Sequence, residues 1–176
     1  MPKKIILIAG PTASGKSEIA IEIAKKIKGE IINADSMQVY KEFSILSSRP
    51  SNLDLKKIKH YLYGFQSAKK HFSTGAWLKL VKKQVNLCLK NKKIPILVGG
   101  TGLYFESITK GMSKIPNINF KERKKIRELQ KKLGQIIFYE KLLKLDPLVK
   151  NNIELSDTQR SIRAYEVKKF TKKSIF

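Results

Sequence analysis

An α/β fold is predicted for this 176-residue chain: a parallel sheet with helices on both faces, plus a small helical insertion domain. Three observations predict it. Short apolar runs alternate with helical patterns over the first two thirds of the chain. The first run leads straight into GPTASGKS, residues 10–17, which fits the phosphate-loop pattern G-x-x-x-x-G-K-[ST] and makes the sheet P-loop NTPase-like. After about residue 112 the strand signals stop and helical patterns take over.

Taken in order, Lys4–Ala9 is a continuous apolar run ending in glycine, the mark of a buried parallel strand. Ser17–Ile27 is a helix with Ile19, Ile23 and Ile27 at four-residue spacing on its inner face. Glu30–Ala34 is a second strand, and HYLYGF, 60–65, has the composition of a third. Thr74–Lys90 is an amphipathic helix, with Leu78, Val81, Val85 and Cys88 on one face and lysines opposite. IPILVGG, 94–100, is another buried strand ending in a glycine turn. Alternation of this kind demands right-handed crossovers. The expected organisation is a P-loop α/β core over 1–111 and a basic helical unit over 112–176.

In that second part MSKIPNIN, 112–119, reads as a loop, Asn119 with Glu122 as a capping box, and Gly134 as a helix stop. Asp146-Pro147 marks a turn. Ser156 with Gln159 is a second capping box, opening a helix to about Phe170. Four visible strands are fewer than a doubly wound sheet usually has, so a further C-terminal portion of the core is expected.

Composition narrows the function classes. With 41% hydrophobic and 29% charged residues the chain is neither a disordered tail nor a membrane-spanning protein. No secretory signal pattern precedes the phosphate loop. The one cysteine, Cys88, excludes an intrachain disulfide and a cysteine-built metal site, which suits the cytosol. Lysine and arginine number 37 against 14 acids, a net charge of +23. Such a field attracts polyanions, nucleic acid first among them, although a lysine-rich compositional bias accounts for the same count.

The phosphate loop is the firmest site. Successive backbone N–H groups at a helix N-terminus form an anion nest. Gly10 and Gly15 permit its backbone, with Pro11, Thr12, Ala13 and Ser14 completing the loop. Lys16 reaches terminal phosphate oxygens, and the Ser17 hydroxyl is a ligand for Mg²⁺. P-loop NTPases usually hold Mg²⁺ with a second acid at a strand end, yet IPILV runs into GGTG with no carboxylate. The acid available is Asp35, closing the second strand in INADSMQVYK. Its two readings are a general base or water-mediated Mg²⁺ ligand at the carboxyl edge of the sheet, and the cap of a turn.

Four ordered segments, GPTASGKS, DSMQVYK, ILVGGTGLYF and LSDTQRSIRAYEV, with LDPLVKNNI between the last two, resemble the tRNA dimethylallyltransferases (tRNA isopentenyltransferases, or IPP transferases) over residues 5–170. The resemblance implies transfer of the dimethylallyl group from dimethylallyl diphosphate to N6 of the adenosine immediately 3′ of the anticodon, with release of diphosphate. It implies Asp35 as the general base and Thr12 near the bridging oxygen of the diphosphate. It places Asp35, Ser36, Met37, Gln38, Thr101 and Arg123 against the tRNA, together with Gln159, Arg160, Ser161, Ile162 and Arg163. Mg²⁺ is the implied cofactor, the enzyme is expected to act as a cytoplasmic monomer, and family members continue past the RAYEV helix. Arg49 of SSRP keeps the positive charge of the lysine common in relatives.

Read from the residues alone, Gln159, Arg160 and Arg163 share a helix face opposite Ile162, Val167 and Phe170, which is also how any surface helix looks. Tyr40, Trp77 and Tyr104 are candidate base-stacking residues, with packing the plainer reading of Trp77 and Tyr104. His60 and His71 form no recognisable ligand or catalytic pair. The competing functions are an ATP-binding small-molecule or nucleotide kinase on the same loop, and an inactive RNA-binding remnant.

Overall fold

The computed structural model describes residues 4–112, 115 and 118–176. Ser113, Lys114, Pro116 and Asn117 of the expected loop lie outside the described residues. The chain divides into two compact units, Met1–Met112 and Ser113–Phe176.

In the first unit, β1 (Ile6–Ala9), β2 (Gly29–Asn33), β3 (His60–Tyr61) and β4 (Ile94–Gly99) form one parallel sheet in the order β1-β4-β2-β3. Helices α1 (Lys16–Ile27), α2 (Asn52–Lys57), α3 (Thr74–Lys90) and α4 (Gly102–Thr109) connect or follow the strands. Strand alternation sorts the core into two layers. Ile31 pairs with Ile96, and both turn with Val98 toward Ala20, Ile21 and Ala24 of α1. Ile32 pairs with Leu97, and both turn toward Val81, Val85 and Cys88 of α3 and Tyr104 of α4. The central strands β2 and β4 are therefore covered on both faces, whereas β1, expected to be buried, is an edge strand whose Leu7 is 41% exposed. The carboxyl edge of the sheet is left for a ligand.

The inner face of α1 differs from the isoleucine stripe. Ile19 is 51% exposed, while Ile23 and Ile27 are only partly buried. Close approach explains the exchange. A Cβ on Gly29 would stand 3.2 Å from Ala24 Cα and 2.7 Å from Ile96 Cδ1, a gap that admits alanine but no branched side chain. The third strand is also shorter than HYLYGF. At Leu62 the backbone turns to φ 63 and at Gly64 to φ 54, which takes the chain off the ladder after two residues. At the opposite end of the sheet, the buried Glu30 carboxylate accepts from Tyr61 Oη (3.0 Å) and Cys88 Sγ (3.2 Å). Burial, aided by Glu30, pushes Tyr61 up to about 12 and Cys88 up to about 11, so both remain protonated donors.

The second unit contains α5 (Phe120–Leu145), a 3-10 turn (Pro147–Asn151) and α6 (Thr158–Thr171). Ile126, Phe138, Leu142, Val149, Ile153 and Ile162 build its core. Gly134, the expected stop, breaks the helical path at φ 74 and ψ 168, but the helix resumes beyond it. Asn119 caps α5 by accepting from Lys121 N–H, while Glu122 pairs with Lys125 instead of closing the box. The cap of α6 is Asp157, one residue past the expected Ser156, because its Oδ1 accepts from Arg160 N–H at 3.0 Å. Phe170 is 39% exposed, off the apolar face. Asp157→Ala is expected to cost about 1 kcal/mol of stability by removing the cap, measured by urea unfolding. Among the described residues no helix is long and apolar enough to cross a membrane.

Candidate functional site

The phosphate loop leaves β1 at Gly10, whose N–H donates to Gly99 O on β4 at 3.3 Å. Its tight curl needs left-handed backbone at Ala13 (φ 62) and Gly15 (φ 76). A Cβ on Gly15 would meet nothing within 4 Å, so that glycine serves conformation and not space. Ile19 N–H is the donor that returns to Gly15 O, which leaves the amides of Lys16, Ser17 and Glu18 at the open end of α1. Lys16 Nζ donates to Pro11 O and lies 3.4 Å from Ser14 Oγ, while Ser14 Oγ itself donates to Pro11 O at 2.9 Å. The ammonium is thereby held at the loop.

Across from the loop stands Asp35. The turn-cap reading of it is present in the geometry. Its Oδ1 accepts from Met37 N–H (2.8 Å) and Gln38 N–H (3.4 Å), capping the DSMQ turn. Its Oδ2 accepts no hydrogen bond among the described residues, and the carboxylate lines the same cleft as Lys16 and Ser17. That cleft holds about 440 Å³ and is completed by Thr12, Gln38, Ser47, Ser48, Tyr63 and Val98. Gly10, Pro11 and Thr101 do not line it; they shape or brace its walls.

The bracing reaches far along the chain. Asn33, fully buried at the end of β2, accepts from Asp35 N–H at 2.8 Å and donates to Asp35 O and Leu62 O. Trp77 Nε1 in turn donates to Asn33 O at 3.0 Å. Trp77 is stacked on Tyr104, centroids 4.0 Å apart, and both are buried, so the packing reading of this pair stands. Thr101 Oγ1 accepts from Ser36 N–H at 2.8 Å and donates to Ser36 Oγ at 3.2 Å. Gln38 Nε2 donates to Ser47 O and Ser48 O, holding the far wall. Tyr40 meets Phe43 edge-on at 5.9 Å. Asn33, Tyr63, Ser47 and Ser48 escaped the sequence reading. Asn33 carried a signal, as an amide directly after Ile31 and Ile32, and Ser47 and Ser48 lie in the SSRP segment.

Electrostatics keeps this site simple. Burial pushes the Tyr63 phenol well above its ordinary value, and the neighbouring Asp35 charge adds to the shift. Tyr104 is pushed up to about 12 by burial first, with Tyr40 and Asp35 contributing. Neither phenol ionises near neutral pH. His60 Nδ1 lies 2.8 Å from Ile58 O, remote from any ligand set. Among the described residues no three His, Cys, Asp or Glu side chains gather as a metal site.

The second unit distributes its expected RNA residues unevenly. Gln159 and Arg160 are exposed on α6. Ser161 is buried, donating to Asp157 O at 2.8 Å, and Ile162 belongs to the core, so these two face inward and not toward solvent. Arg123 and Arg163 are both engaged with the buried carboxylate of Glu166.

A family model described as IPP transferase matches residues 38–176. The chain belongs to that family. It is 60% identical over 173 residues to the tRNA dimethylallyltransferase of Pelagibacter ubique (strain HTCC1062), covering 98% of this chain and 55% of the relative. It is 49% identical over 174 residues to the tRNA dimethylallyltransferase of Rickettsia canadensis (strain McKiel), covering 99% and 54%. Among solved structures, a eukaryotic dimethylallyltransferase acting on tRNA matches with TM-score 0.80 and 28% identity, over 98% of this chain and 43% of that one. The full-length tRNA isopentenylpyrophosphate transferase from Bacillus halodurans matches with TM-score 0.63 and 29% identity, over 96% and 56%. The chain thus spans about half the length of the curated relatives it matches. These matches favour the transferase family over the kinase.

Proposed function

We propose that this chain carries the diphosphate- and adenosine-facing part of a cytoplasmic, monomeric tRNA dimethylallyltransferase. The observation that supports this most directly is the juxtaposition of two groups in one cleft. A phosphate loop ending in Lys16 and Ser17 faces the carboxylate of Asp35, while β4 ends in glycines with no acid.

Each group has a task in prenyl transfer. The amides at the start of α1 and the Lys16 ammonium take up the negative charge that grows on the departing diphosphate. Thr12, on the cleft wall, stands near the bridging oxygen whose bond to C1 of the prenyl group breaks. The adenine N6 amine attacks that carbon, a new C–N bond forms, and one N6 proton passes to Asp35. The adenosine meets the DSMQ turn, so the base leaves its stack to reach the carboxylate. Ser17 and Asp35 present hard oxygens on one cleft, a donor set suited to Mg²⁺ with phosphate oxygens and water completing the shell. When bound, Mg²⁺ neutralises diphosphate charge.

The test incubates this chain with labelled dimethylallyl diphosphate and a tRNA anticodon stem-loop. Label is expected on the RNA, and chelation of divalent ions with EDTA is expected to abolish it. Phosphoryl transfer from ATP without prenyl transfer overturns the reading in favour of a kinase. RNA binding without any turnover overturns it in favour of a remnant.

A further inference from the structure

Glu166 is a buried charge of the second unit. Its side chain is 1% exposed in the middle of α6. Two arginines from different helices reach it. Arg123 of α5 donates through Nε to Oε1 at 3.3 Å, and Arg163 of α6 donates through Nη1 to Oε2 at 3.0 Å. One arginine in a two-pronged fork would neutralise a buried carboxylate. Here each guanidinium gives up a single donor. Their remaining N–H groups make no other hydrogen bond among the described residues, and the two side chains stay 30% and 38% exposed. The trio keeps one net positive charge and a surplus of oriented donors.

The neighbouring surface matches. A groove of about 360 Å³ between α5 and α6 is lined by Lys124, Arg127, Lys131 and Gln159, with the acid Glu128 and the edge of Ile162 beside them. Arg127 lies four residues beyond Arg123 on α5, and Gln159 four residues before Arg163 on α6. Positions four apart share a helix face, so each arginine stands one turn along its helix from a residue of the groove.

We propose that Glu166 is a positioning residue that presents Arg123 and Arg163 as a paired clamp for one phosphodiester of the RNA backbone. The proposal rests on RNA being the partner, as in the function given above. The clamp fixes register and carries no base readout. Arg suits it because its planar fork can bind carboxylate on one edge and phosphate on another, which a lysine cannot do.

The experiment measures binding of a fluorescent tRNA anticodon stem-loop by anisotropy over a series of KCl concentrations, with circular dichroism to verify folding. Glu166→Gln decides by sign. It removes a negative charge from a chain of net charge +23, so long-range attraction alone predicts tighter binding. Positioning predicts binding weaker by about tenfold, because the amide can no longer accept from both arginines. Arg123→Lys and Arg163→Lys keep the charge and serve should Glu166→Gln not fold. Each is expected to weaken binding while leaving the slope of log K on log salt nearly unchanged, because a lysine still neutralises the phosphate but cannot hold carboxylate and phosphate at once. Unchanged or tighter binding by folded Glu166→Gln overturns the clamp. So does wild-type affinity in the folded lysine variants. In either case RNA remains the partner. A wild-type chain that binds no stem-loop at low salt overturns both the clamp and the RNA reading.

Discussion

Asp35→Asn is expected to lower prenyl transfer by about 100-fold or more, the usual contribution of a general base, with thermal stability nearly unchanged. The substitution separates the two tasks that Asp35 performs. An asparagine keeps an Oδ1 that can accept from Met37 N–H and Gln38 N–H, so the DSMQ turn survives. It also keeps the shape against Gly100, where a Cβ would stand 3.6 Å from Asp35 Oδ2. What it loses is a site for the N6 proton and the negative charge beside Lys16. Single-turnover rates with saturating substrates measure the chemistry, and a melting curve measures the turn. A rate within about threefold of wild type would show that Asp35 is only a turn cap, since removing a general base costs far more. Asp35→Ala removes both tasks and is expected to lower melting temperature as well as rate.

Gly99→Ala carries the largest expected cost in stability, about 3 kcal/mol or more, because the clash is with backbone and cannot be relieved by a rotamer change. A Cβ at Gly99 would stand 2.1 Å from both the carbonyl carbon and oxygen of Ala34 and 2.6 Å from Asp35 N. Those atoms belong to the crossing where β4 meets the end of β2, held by Ala34 N–H to Val98 O at 2.7 Å and Thr101 N–H to Ala34 O at 3.3 Å. Forcing the strands apart there displaces Asp35 from the phosphate loop, which hydrogen-bonds the same glycine through Gly10 N–H. Urea unfolding measures the cost. Gly102→Ala is the control: a Cβ there meets nothing within 4 Å, and its effect is expected to stay within about 0.5 kcal/mol. Equal effects at both glycines would refute the crossing as the cause.

Much of this site was legible because its chemistry is written in contiguous residues. The phosphate loop is eight consecutive positions, and Asp35 closes an apolar run at the edge where parallel sheets bind ligands. Helix α3 spans Thr74–Lys90 as its periodicity predicts, since a helix is built from bonds between residues four apart. The resemblance of four ordered motifs led to the family before any fold was seen, and the family match bears it out.

Other features had no local signature. The capping position of α6 moved by one residue because Asp157, and not Ser156, points its side chain at the helix start. The inner face of α1 fell to Ala20, Ile21 and Ala24 because of how closely the strand beneath it approaches. Ser161, grouped by motif with residues at the RNA, is buried because α6 turns that side into its own unit.

By itself, then, the sequence determined the parallel α/β class, the anion nest, the acid opposite it and the family. Each follows from short-range periodicity or from a motif whose residues act together. Only the tertiary structure decided what holds that acid and what becomes of the arginines. Trp77 reaches Asn33 across 44 residues to steady Asp35, and Arg123 reaches Glu166 across 43. Hydrogen bonds that span such separations depend on how layers pack, a property that no window of the chain contains.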